Sequence, residues 1–296
     1  MPGTLQQKLT LPVVALFVVC AAAAGALAQA GSLPEAEREA VVQAAMDYME
    51  GALSSDAERV GRGVHVELTR VTVATNTDDG AQYLRKSGYT QLIELVRAGR
   101  NQIPTERRNI EVRVFDIGHD LAVAVVTSVA YYDYLQLAKI EDEWKIVNVL
   151  WAPNMVSRDP SLEYRGTLED EAAIERCALD YIDGSFSGSA ERMERALHPE
   201  LTKVVLYRLP QTGRCFLGPM GTADLVVGTE AGLGTLPPEA RDIGVTIYDV
   251  AYDMATVKVY SSQYIDYLQC ARIDGEWKIV NVLWVPNPAA RGGSGF

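Results

Sequence analysis

The chain has 296 residues, a formal net charge of −12 and 48% hydrophobic residues. This length and hydrophobic content are sufficient for two ordinary cores, which excludes an intrinsically disordered chain. An acidic chain without a basic patch repels phosphate groups, so nucleic acid and anionic membrane surfaces are excluded as partners.

The N-terminus has the pattern of a secretory signal peptide. Lys8 precedes an apolar run over 11–28, which ends in small residues of the A-x-A type. A membrane-spanning helix is the less favoured alternative, because the run is short, rich in alanine and lacks a basic flank. We predict that residues 1–30 are cleaved, that the mature chain is secreted or periplasmic, and that no membrane partner remains after cleavage.

The remaining chain is an ungapped tandem duplication. A shift of 133 residues aligns the segment 131–154 with 264–287, and 18 of these 24 positions are identical. Two copies of this length indicate two domains rather than a solenoid, which needs three or more short units. We place the domains at 31–156 and 165–290, with the boundary in the polar segment 155–166.

An amphipathic helix is predicted first in each copy. Residues 41–48 and 174–181 carry apolar side chains at the i, i+3, i+4, i+7 spacing, and Gly51 and Gly184 are the predicted helix ends.

A second, short helix follows, with Asp56 or Ser189 as its N-cap. The order predicted next in copy 1 is a strand over 64–74, a helix over 90–97 and closing strands over 110–116, 121–140 (interrupted) and 143–151. Because strands and helices do not alternate, a doubly wound fold is excluded and the class is α+β.

Copy 2 resembles a known family over three segments, 180–184, 190–201 and the closing Asp-Gly-Glu-Trp-Lys-Ile-Val-Asn motif at 274–281. These segments are similar to the putative lumazine-binding family of the NTF2-like (ketosteroid isomerase-like) superfamily. The resemblance covers nearly all of both halves. It implies two tandem NTF2-like cones, each with helices packed on a curved antiparallel sheet around a cavity.

Copy 1 departs from the family pattern at two points. His65-Val66-Glu67 replaces the His-Pro-Glu of copy 2, and Glu141-Asp142-Glu143 replaces the tight Asp-Gly turn. The family's function is therefore expected in copy 2 and can have been lost from copy 1. The triplet at 198–200 is interpreted as a turn before the first strand rather than as a ligand.

Motifs for common chemistry are absent from the sequence. There is no P-loop, dinucleotide-binding glycine motif or serine nucleophile elbow, and the three histidines lack metal-ligand spacing, so no metal or cofactor is expected. Cys177, Cys215 and Cys270 remain after residue 30; we interpret them as small core residues. They permit at most one internal disulfide, which is left open.

The turn Asp274-Gly275 predicts a two-residue hairpin that sets the register of the last two strands. Counting outward pairs Leu268 with Asn281 and Asp266 with Leu283, and alternate residues share one face. We assign that face, with the first helix opposite, to a ligand-binding cavity. The predicted site residues are Tyr181, Tyr264, Asp266, Trp277 and Asn281, with Tyr48, Tyr131, Asp133, Trp144 and Asn148 in copy 1. In the alternative, Asp266 and Asn281 only bind backbone at the sheet edge.

The sequence favours an exported, noncatalytic protein that binds a small-molecule ligand. Enzymes of this superfamily use an acid in an apolar pocket as general base, so a ketosteroid-isomerase-like isomerase or dehydratase using Asp266 is the alternative. A third possibility is a scaffold whose interior is filled by side chains.

The closing strands predict how the two copies associate. Residues 144–151 and 277–284 place apolar side chains on both faces of a strand, whereas a solvated face would alternate apolar with polar. One face covers the helices of its own domain and the other needs a partner. A tandem copy is present at high effective concentration, so we predict an intramolecular pseudo-dimer.

Overall fold

A computed structural model of the chain describes residues 35–155 and 166–290. The predicted signal peptide, and most of the predicted boundary segment, lie outside the described residues. Within the part that is described, no helix is both long enough and apolar enough to cross a membrane.

Both copies contain the same elements in the same order. Copy 1 consists of α1 (Glu35–Ser54), α2 (Ala57–Gly63), β1 (Val64–Thr75), β2 (Gln82–Gly88), α3 (Tyr89–Arg97), β3 (Glu111–Gly118), β4 (Leu121–Thr127), β5 (Tyr131–Ile140) and β6 (Glu143–Pro153). Copy 2 consists of α4 (Leu168–Ser187), α5 (Ala190–Ala196), β7 (Leu197–Arg208), β8 (Cys215–Met220), α6 (Thr222–Glu230), β9 (Gly244–Ala251), β10 (Met254–Tyr260), β11 (Tyr264–Ile273) and β12 (Glu276–Pro286). The α+β class is confirmed.

Each copy forms a six-stranded sheet, in the order β2-β1-β6-β5-β4-β3 and β8-β7-β12-β11-β10-β9. The sheet predicted as antiparallel is mixed, because β1 pairs with β6, and β7 with β12, in parallel. Parallel pairing requires a long connection, and here the connection is most of the domain. The first and last strands of each copy thus become neighbours at the middle of the sheet.

The strand predictions missed one element in each copy. β2 and β8 form the outer edge of their sheets, and Leu84 is the one buried residue of β2, so β2 lacks the apolar run of an inner strand. The interruption predicted within 121–140 is confirmed: a turn between Ser128 and Tyr131 separates β4 from β5. The triplet at 198–200, expected as a turn, lies within β7.

The predicted caps of the short helices are confirmed. The Asp56 side chain accepts a hydrogen bond from the Arg59 backbone N–H at 2.9 Å, and Ser189 accepts from that of Arg192 at 3.4 Å. Each cap satisfies a donor that the first helical turn leaves unpaired.

The prediction that Gly51 and Gly184 end the first helices is wrong, since α1 continues to Ser54 and α4 to Ser187. The reason for glycine is space. A Cβ at position 51 would lie 2.8 Å from Val60 Cγ2 and 2.9 Å from the Asp56 carbonyl oxygen. Glycine therefore allows α2 to pack directly on α1.

The closing hairpins have the same two-residue turn in both copies. Asp274 and Gly275 have φ of 49° and 87°, and Glu141 and Asp142 have φ of 51° and 67°. Two positive φ values are the mark of the tight hairpin turn that matches strand twist. The departure from Asp-Gly in copy 1 therefore leaves the register unchanged.

The helices of each copy cover one face of its sheet, and the other faces of the two sheets pack on each other. Val123 and Val147 of copy 1 lie in one apolar cluster with Ile265, Tyr267 and Leu283 of copy 2. A second such cluster joins β1, β4, β5 and β6 to β10, β11 and β12. These contacts agree with the predicted pseudo-dimer.

Polar contacts across this interface are duplicated by the internal symmetry. Gln136 Nε2 donates to the Tyr267 carbonyl oxygen and Gln269 Nε2 donates to the Tyr134 carbonyl oxygen, both at 2.8 Å. Reciprocal contacts between equivalent residues are what a two-fold interface produces.

Candidate functional site

The interior of copy 2 contains a carboxylate held between a helix and the sheet. Asp266 lies on β11, an inner strand, with its side chain toward α4, and is fully buried. Tyr181 is on the apolar stripe of α4 and donates a hydrogen bond from its hydroxyl to Asp266 Oδ1 at 2.7 Å. The helix therefore contributes a specific polar partner to the buried acid.

A buried cation completes the charge balance of this site. Lys203 Nζ on β7 lies 3.4 Å from Asp266 Oδ1 and donates to the Tyr181 hydroxyl oxygen at 2.5 Å. Burial lowers the pKa of Lys203 and raises that of Tyr181 well above its ordinary value, while the Asp266 charge raises both. The three groups form one compensated unit, as a buried ion pair requires.

Aromatic rings surround the ammonium group. Lys203 Nζ lies 4.5 Å from the centre of the Trp284 ring, a cation–π contact, and the Tyr264 ring meets that of Trp284 edge to face at 5.3 Å. Phe186 stacks on Tyr264 with ring centres 6.1 Å apart. We call Asp266, Tyr181, Lys203, Trp284 and Tyr264 the Asp266 cluster.

Two polar atoms of this cluster are left over. Asp266 Oδ2 and Trp284 Nε1 are buried and have no hydrogen-bond partner among the residues that the structure describes. Asp266 and Trp284 are direct cross-strand partners in the β11–β12 pair, so their side chains stand side by side. A buried acceptor and a buried donor on paired residues, both without partners, are costly unless a further molecule satisfies them.

Copy 1 contains the equivalent arrangement. The Tyr48 hydroxyl donates to Asp133 Oδ2 at 2.6 Å, and Arg70 Nε donates to the Tyr48 hydroxyl oxygen at 3.1 Å. Burial raises the pKa of Asp133 to about 6, against the opposing effects of Arg70 and Tyr48. We call Asp133, Tyr48, Arg70, Trp151 and Tyr131 the Asp133 cluster.

The two clusters differ in their cations. Two guanidinium groups lie near the Trp151 ring, with Arg70 Cζ at 5.2 Å and Arg85 Cζ at 5.7 Å from its centre. The position equivalent to Arg85 in copy 2 is Gly218. The Asp133 cluster therefore has an additional positive charge beside its tryptophan, and the two sites are not chemically equivalent.

The family of this chain is identified by sequence comparison. The sequence model of the family described as "Putative lumazine-binding" matches residues 36–152 and again residues 169–285. The chain belongs to this family. Both copies of the lumazine-binding-family domain are matched over nearly their whole length.

Solved structures similar to the chain include three proteins whose titles call them NTF2-like and of unknown function. Those from Shewanella baltica, Silicibacter pomeroyi and Methylobacillus flagellatus are 17%, 19% and 20% identical, with TM-scores of 0.34, 0.33 and 0.34. The three matches extend over 42%, 41% and 41% of this chain, and over 98%, 99% and 95% of the respective solved chains. A search of curated proteins finds no match.

Six of the predicted site residues of this lumazine-binding-family protein are brought together as expected. Tyr181, Tyr264 and Asp266 meet in copy 2, and Tyr48, Asp133 and Tyr131 occupy the equivalent places in copy 1. The alternative in which Asp266 binds backbone at a sheet edge is wrong, because its partners are side chains and β11 is an inner strand. A role in ligand binding stays a prediction.

The predicted register is wrong beyond Cys270, and Asn281 and Asn148 lie on the opposite face. A bulge in each closing strand shifts the pairing, so that Gln269 faces Asn281 and Asp266 faces Trp284. Asn281 Nδ2 donates to Gln269 Oε1 at 2.8 Å, and Asn148 makes the same contact with Gln136. A bulge reverses every later side chain, so the asparagines belong to the interface between the sheets.

Trp277 and Trp144 lie on the correct face but far from the clusters. Trp277 pairs with Arg272, which is six residues along β11 from Asp266, a distance of about 20 Å on a strand. Its Nε1 donates to Asp170 at 3.3 Å, and Trp144 Nε1 donates to Glu37 at 2.7 Å. Trp277 instead borders a shallow pocket of about 360 Å³ at the start of α4.

Sequence reasoning missed Lys203, Arg70, Trp284 and Trp151. A signal was available for the cations, since Lys203 and Arg70 occupy equivalent positions, each as a lone charge within a β-branched run. The bulge was not predicted, so the expected register put Trp284 and Trp151 on the face of the sheet away from the helices. Across the described ranges, no group of three or more His, Cys, Asp or Glu side chains is arranged to hold a metal ion.

Proposed function

We propose that this protein is an exported, noncatalytic small-molecule-binding protein, and that the Asp266 cluster is its main binding site. Membership of the "Putative lumazine-binding" family supports the ligand-binding role. The signal-peptide pattern of residues 1–30 supports export. The observation that carries the site assignment is the pair of buried, unpartnered atoms, Asp266 Oδ2 and Trp284 Nε1.

These two atoms define the chemistry of a ligand. A carboxylate oxygen accepts a hydrogen bond from an N–H or O–H group, and an indole N–H donates to a carbonyl oxygen or ring nitrogen. Because Asp266 and Trp284 are adjacent, the ligand carries a donor next to an acceptor. Lys203 already balances the carboxylate charge, so the ligand is neutral. The ligand class is a flat heterocycle with a ring amide edge.

The outer wall of the site is formed by Tyr264. Its side chain is only partly buried, whereas Asp266 and Tyr181 are shielded from solvent. A ligand therefore reaches the unpaired atoms when Tyr264 moves away from Trp284, and closure of the ring excludes water afterwards. Strengthened hydrogen bonds in a dry site are typical of small-molecule pockets.

The contacts of Asp266 favour binding over catalysis. A general base needs a free oxygen within reach of substrate and a pKa near the working pH. Asp266 Oδ1 already accepts from Tyr181 and pairs with Lys203, and these contacts fix the orientation of the carboxylate. The isomerase alternative has only Oδ2 free to take a proton, and each protonation would remove the charge that pairs with Lys203.

Lumazine, the compound in the family's description, carries ring amide groups and is the first probe. Trp284→Phe removes the indole donor and keeps the aromatic wall, so lumazine should bind about tenfold more weakly by calorimetric titration. Trp151→Phe in copy 1 is the matched control and should leave this affinity unchanged. Equal losses of affinity in both variants would contradict the assignment of the site to copy 2. If the unmodified protein does not bind lumazine, the proposed ligand class is wrong.

Two further measurements separate the parts of the proposal. Native mass spectrometry of protein from its own source should show a retained low-mass compound and a chain that lacks the leader. A chain with residues 1–28 still attached would contradict export alone. Proton exchange on a ketone substrate that Asp266→Asn abolishes would contradict the noncatalytic assignment.

A further inference from the structure

Two cysteines of copy 2 meet between the first helix and the sheet. Cys177 is on α4 and Cys270 on β11, and both belong to the apolar core of this domain, with 6% and 0% of their surfaces exposed. Cys177 lies close enough to raise the pKa of the Cys270 thiol through a side-chain hydrogen bond. Both are free thiols in this structure.

The strand register places Cys177 independently. Its Sγ lies 3.4 Å from the Ala196 carbonyl oxygen, immediately before β7 begins. Leu197 of β7 pairs with Ile279 of β12, and Ile279 pairs with Cys270 of β11. On β11, α4 makes contact on both sides of Cys270, since Asp170 binds Arg272 at 3.0 Å and Tyr181 binds Asp266 at 2.7 Å. Cys177 lies between Asp170 and Tyr181 on the helix, and this brings it to the same stretch of the strand as Cys270.

Copy 1 shows that the fold does not need this pair. The equivalent residues are Ala44 and Leu137, which also belong to their domain's core. The thiol pair occurs in only one of two domains that otherwise match. It therefore indicates a feature that is specific to copy 2 and is not needed for folding.

We propose that Cys177 and Cys270 are a modification site, a dithiol that is oxidised to a disulfide joining α4 to β11. The oxidant is a disulfide, either of a small thiol such as glutathione or of a thiol-oxidising protein. One cysteine thiolate attacks it and releases one thiol; the second cysteine displaces the other thiol and forms the Cys177–Cys270 bond. Both cysteines are oxidised, the oxidant is reduced to two thiols, and the cysteine protons go to those thiols.

The timing of this reaction follows from burial. The thiolate is the attacking form, and the pKa of Cys270 is raised by its contact with Cys177 and by burial. The folded core therefore reacts slowly, and the bond forms while α4 is still undocked. Once formed, it closes a long loop and restricts the unfolded chain.

The bond would lie next to the Asp266 cluster. Cys177 is one helical turn before Tyr181, and Cys270 follows Asp266 on the same face of β11. A disulfide here fixes the helix on the strand that it must approach for the Tyr181–Asp266 hydrogen bond. The binding site of copy 2 is thereby held more rigidly than that of copy 1.

The test is refolding of the full chain with a mixture of reduced and oxidised glutathione, followed by peptide mapping under denaturing conditions. A Cys177–Cys270 cross-linked peptide, about 2 Da lighter than the two reduced peptides together, is expected. Cys215, on the edge strand β8, should stay free. A strong reductant should lower the melting temperature by about 5–10 °C.

Matched variants distinguish the bridge from a general effect of thiols. Cys177→Ala introduces the residue of copy 1, so it should fold, lack the cross-link and lose the reductant sensitivity. Cys215→Ser should retain both. Recovery of Cys177 and Cys270 as free thiols after glutathione refolding, or a cross-link that includes Cys215, would overturn the proposal. None of these readouts depends on ligand binding or on export.

Discussion

At the scale of single residues, the unusual feature is a charged pair inside each domain. Burying an isolated carboxylate is costly, and a partner cation compensates only when the geometry is good. In copy 2 Lys203 contacts Asp266 directly, whereas in copy 1 Arg70 donates to Tyr48, which in turn donates to Asp133. The cation therefore contacts the aspartate directly in copy 2, and it acts on the aspartate through the tyrosine hydroxyl in copy 1.

Removing the Lys203 charge should strongly destabilise copy 2. Lys203→Met leaves the Asp266 carboxylate buried and uncompensated, and we expect a loss of about 3–5 kcal/mol in the free energy of unfolding by urea denaturation. The double variant Lys203→Met with Asp266→Asn removes both charges and should recover most of that loss. If the single and double variants are equally unstable, Lys203 acts through packing rather than charge.

Copy 1 should show a pH dependence that depends on Asp133. The folded pKa of about 6 lies above the ordinary value of 3.8, so the folded state binds the proton more tightly than the unfolded state. The stabilising effect of that proton is complete below about pH 4 and is lost as the pH rises to about 6, by about 3 kcal/mol. Urea denaturation from pH 4 to 7 should show this fall in the unmodified protein relative to Asp133→Asn. Parallel curves for the two proteins would contradict the raised pKa.

At the scale of elements, the second helix packs more closely on the first helix at Gly51 in copy 1 than at the equivalent Gly184 in copy 2. A Cβ at Gly51 would meet backbone and side-chain atoms of α2 at 2.8 Å, but a Cβ at Gly184 would lie 3.1 Å from Arg192 Cβ and 3.3 Å from the Met193 backbone nitrogen. The first contact cannot be tolerated without movement of α2. The second needs a shift of only a few tenths of an ångström.

The two glycine-to-alanine variants should therefore behave differently. Alanine favours a helix over glycine by about 1 kcal/mol. Gly184→Ala should be close to neutral because this gain offsets the close contact. Gly51→Ala should lower the melting temperature, with a net loss of about 1–3 kcal/mol from overpacking. Thermal unfolding followed by circular dichroism measures both, and equal melting temperatures would mean that α2 moves freely.

The closing hairpin of copy 1 offers a stabilising change. Asp142 has φ of 67°, a conformation that glycine adopts without strain and that Gly275 adopts in copy 2. Asp142→Gly should raise the free energy of unfolding by about 0.5–1 kcal/mol. Asp78→Gly, in the exposed turn after β1, serves as a control for the change in charge and should not be stabilising.

At the scale of the whole molecule, the interface contains two equivalent carboxylates, each used by tyrosines of the other copy. Asp116 Oδ2 accepts from Tyr248 and Tyr267, both at 2.8 Å, and Asp249 Oδ2 accepts from Tyr132 at 2.6 Å and Tyr134 at 3.0 Å. Burial opposes the charge on Asp116, but hydrogen bonds from Lys258, Tyr248 and Tyr267 outweigh it and lower its pKa. Asp116 therefore stays charged at neutral pH.

Removing either carboxylate should weaken the interface by a similar amount. Asp116→Ala and Asp249→Ala each leave tyrosine hydroxyls without their acceptor, at a cost of about 1–3 kcal/mol in the free energy of unfolding. Combining the two should separate the unfolding of the copies into two urea transitions. Asp78→Ala, exposed in a turn, is the control and should have no effect. A single unchanged transition in the double variant would show that apolar contacts alone join the sheets.

The sequence alone determined the repeat, the two α+β domains and the meeting of Tyr181 with Asp266. Each of these rests on local periodicity: the 133-residue shift, the helical stripe of α4 and the alternation along β11. Local spacing decides which face of an element a residue occupies, and the helix and strand have one apolar face each. The family resemblance added the curved sheet, on which the helices cover one face.

Only the tertiary structure decided the composition of the cluster around Asp266. Lys203 enters it because β7 pairs in parallel with β12, a contact between the two ends of the domain that local spacing does not encode. Trp284 enters it, and Asn281 leaves it, because a bulge turns the end of β12 over. That bulge places the Asn281 amide beside Gln269 at the interface with copy 1, so its physical reason lies in a partner distant in the chain.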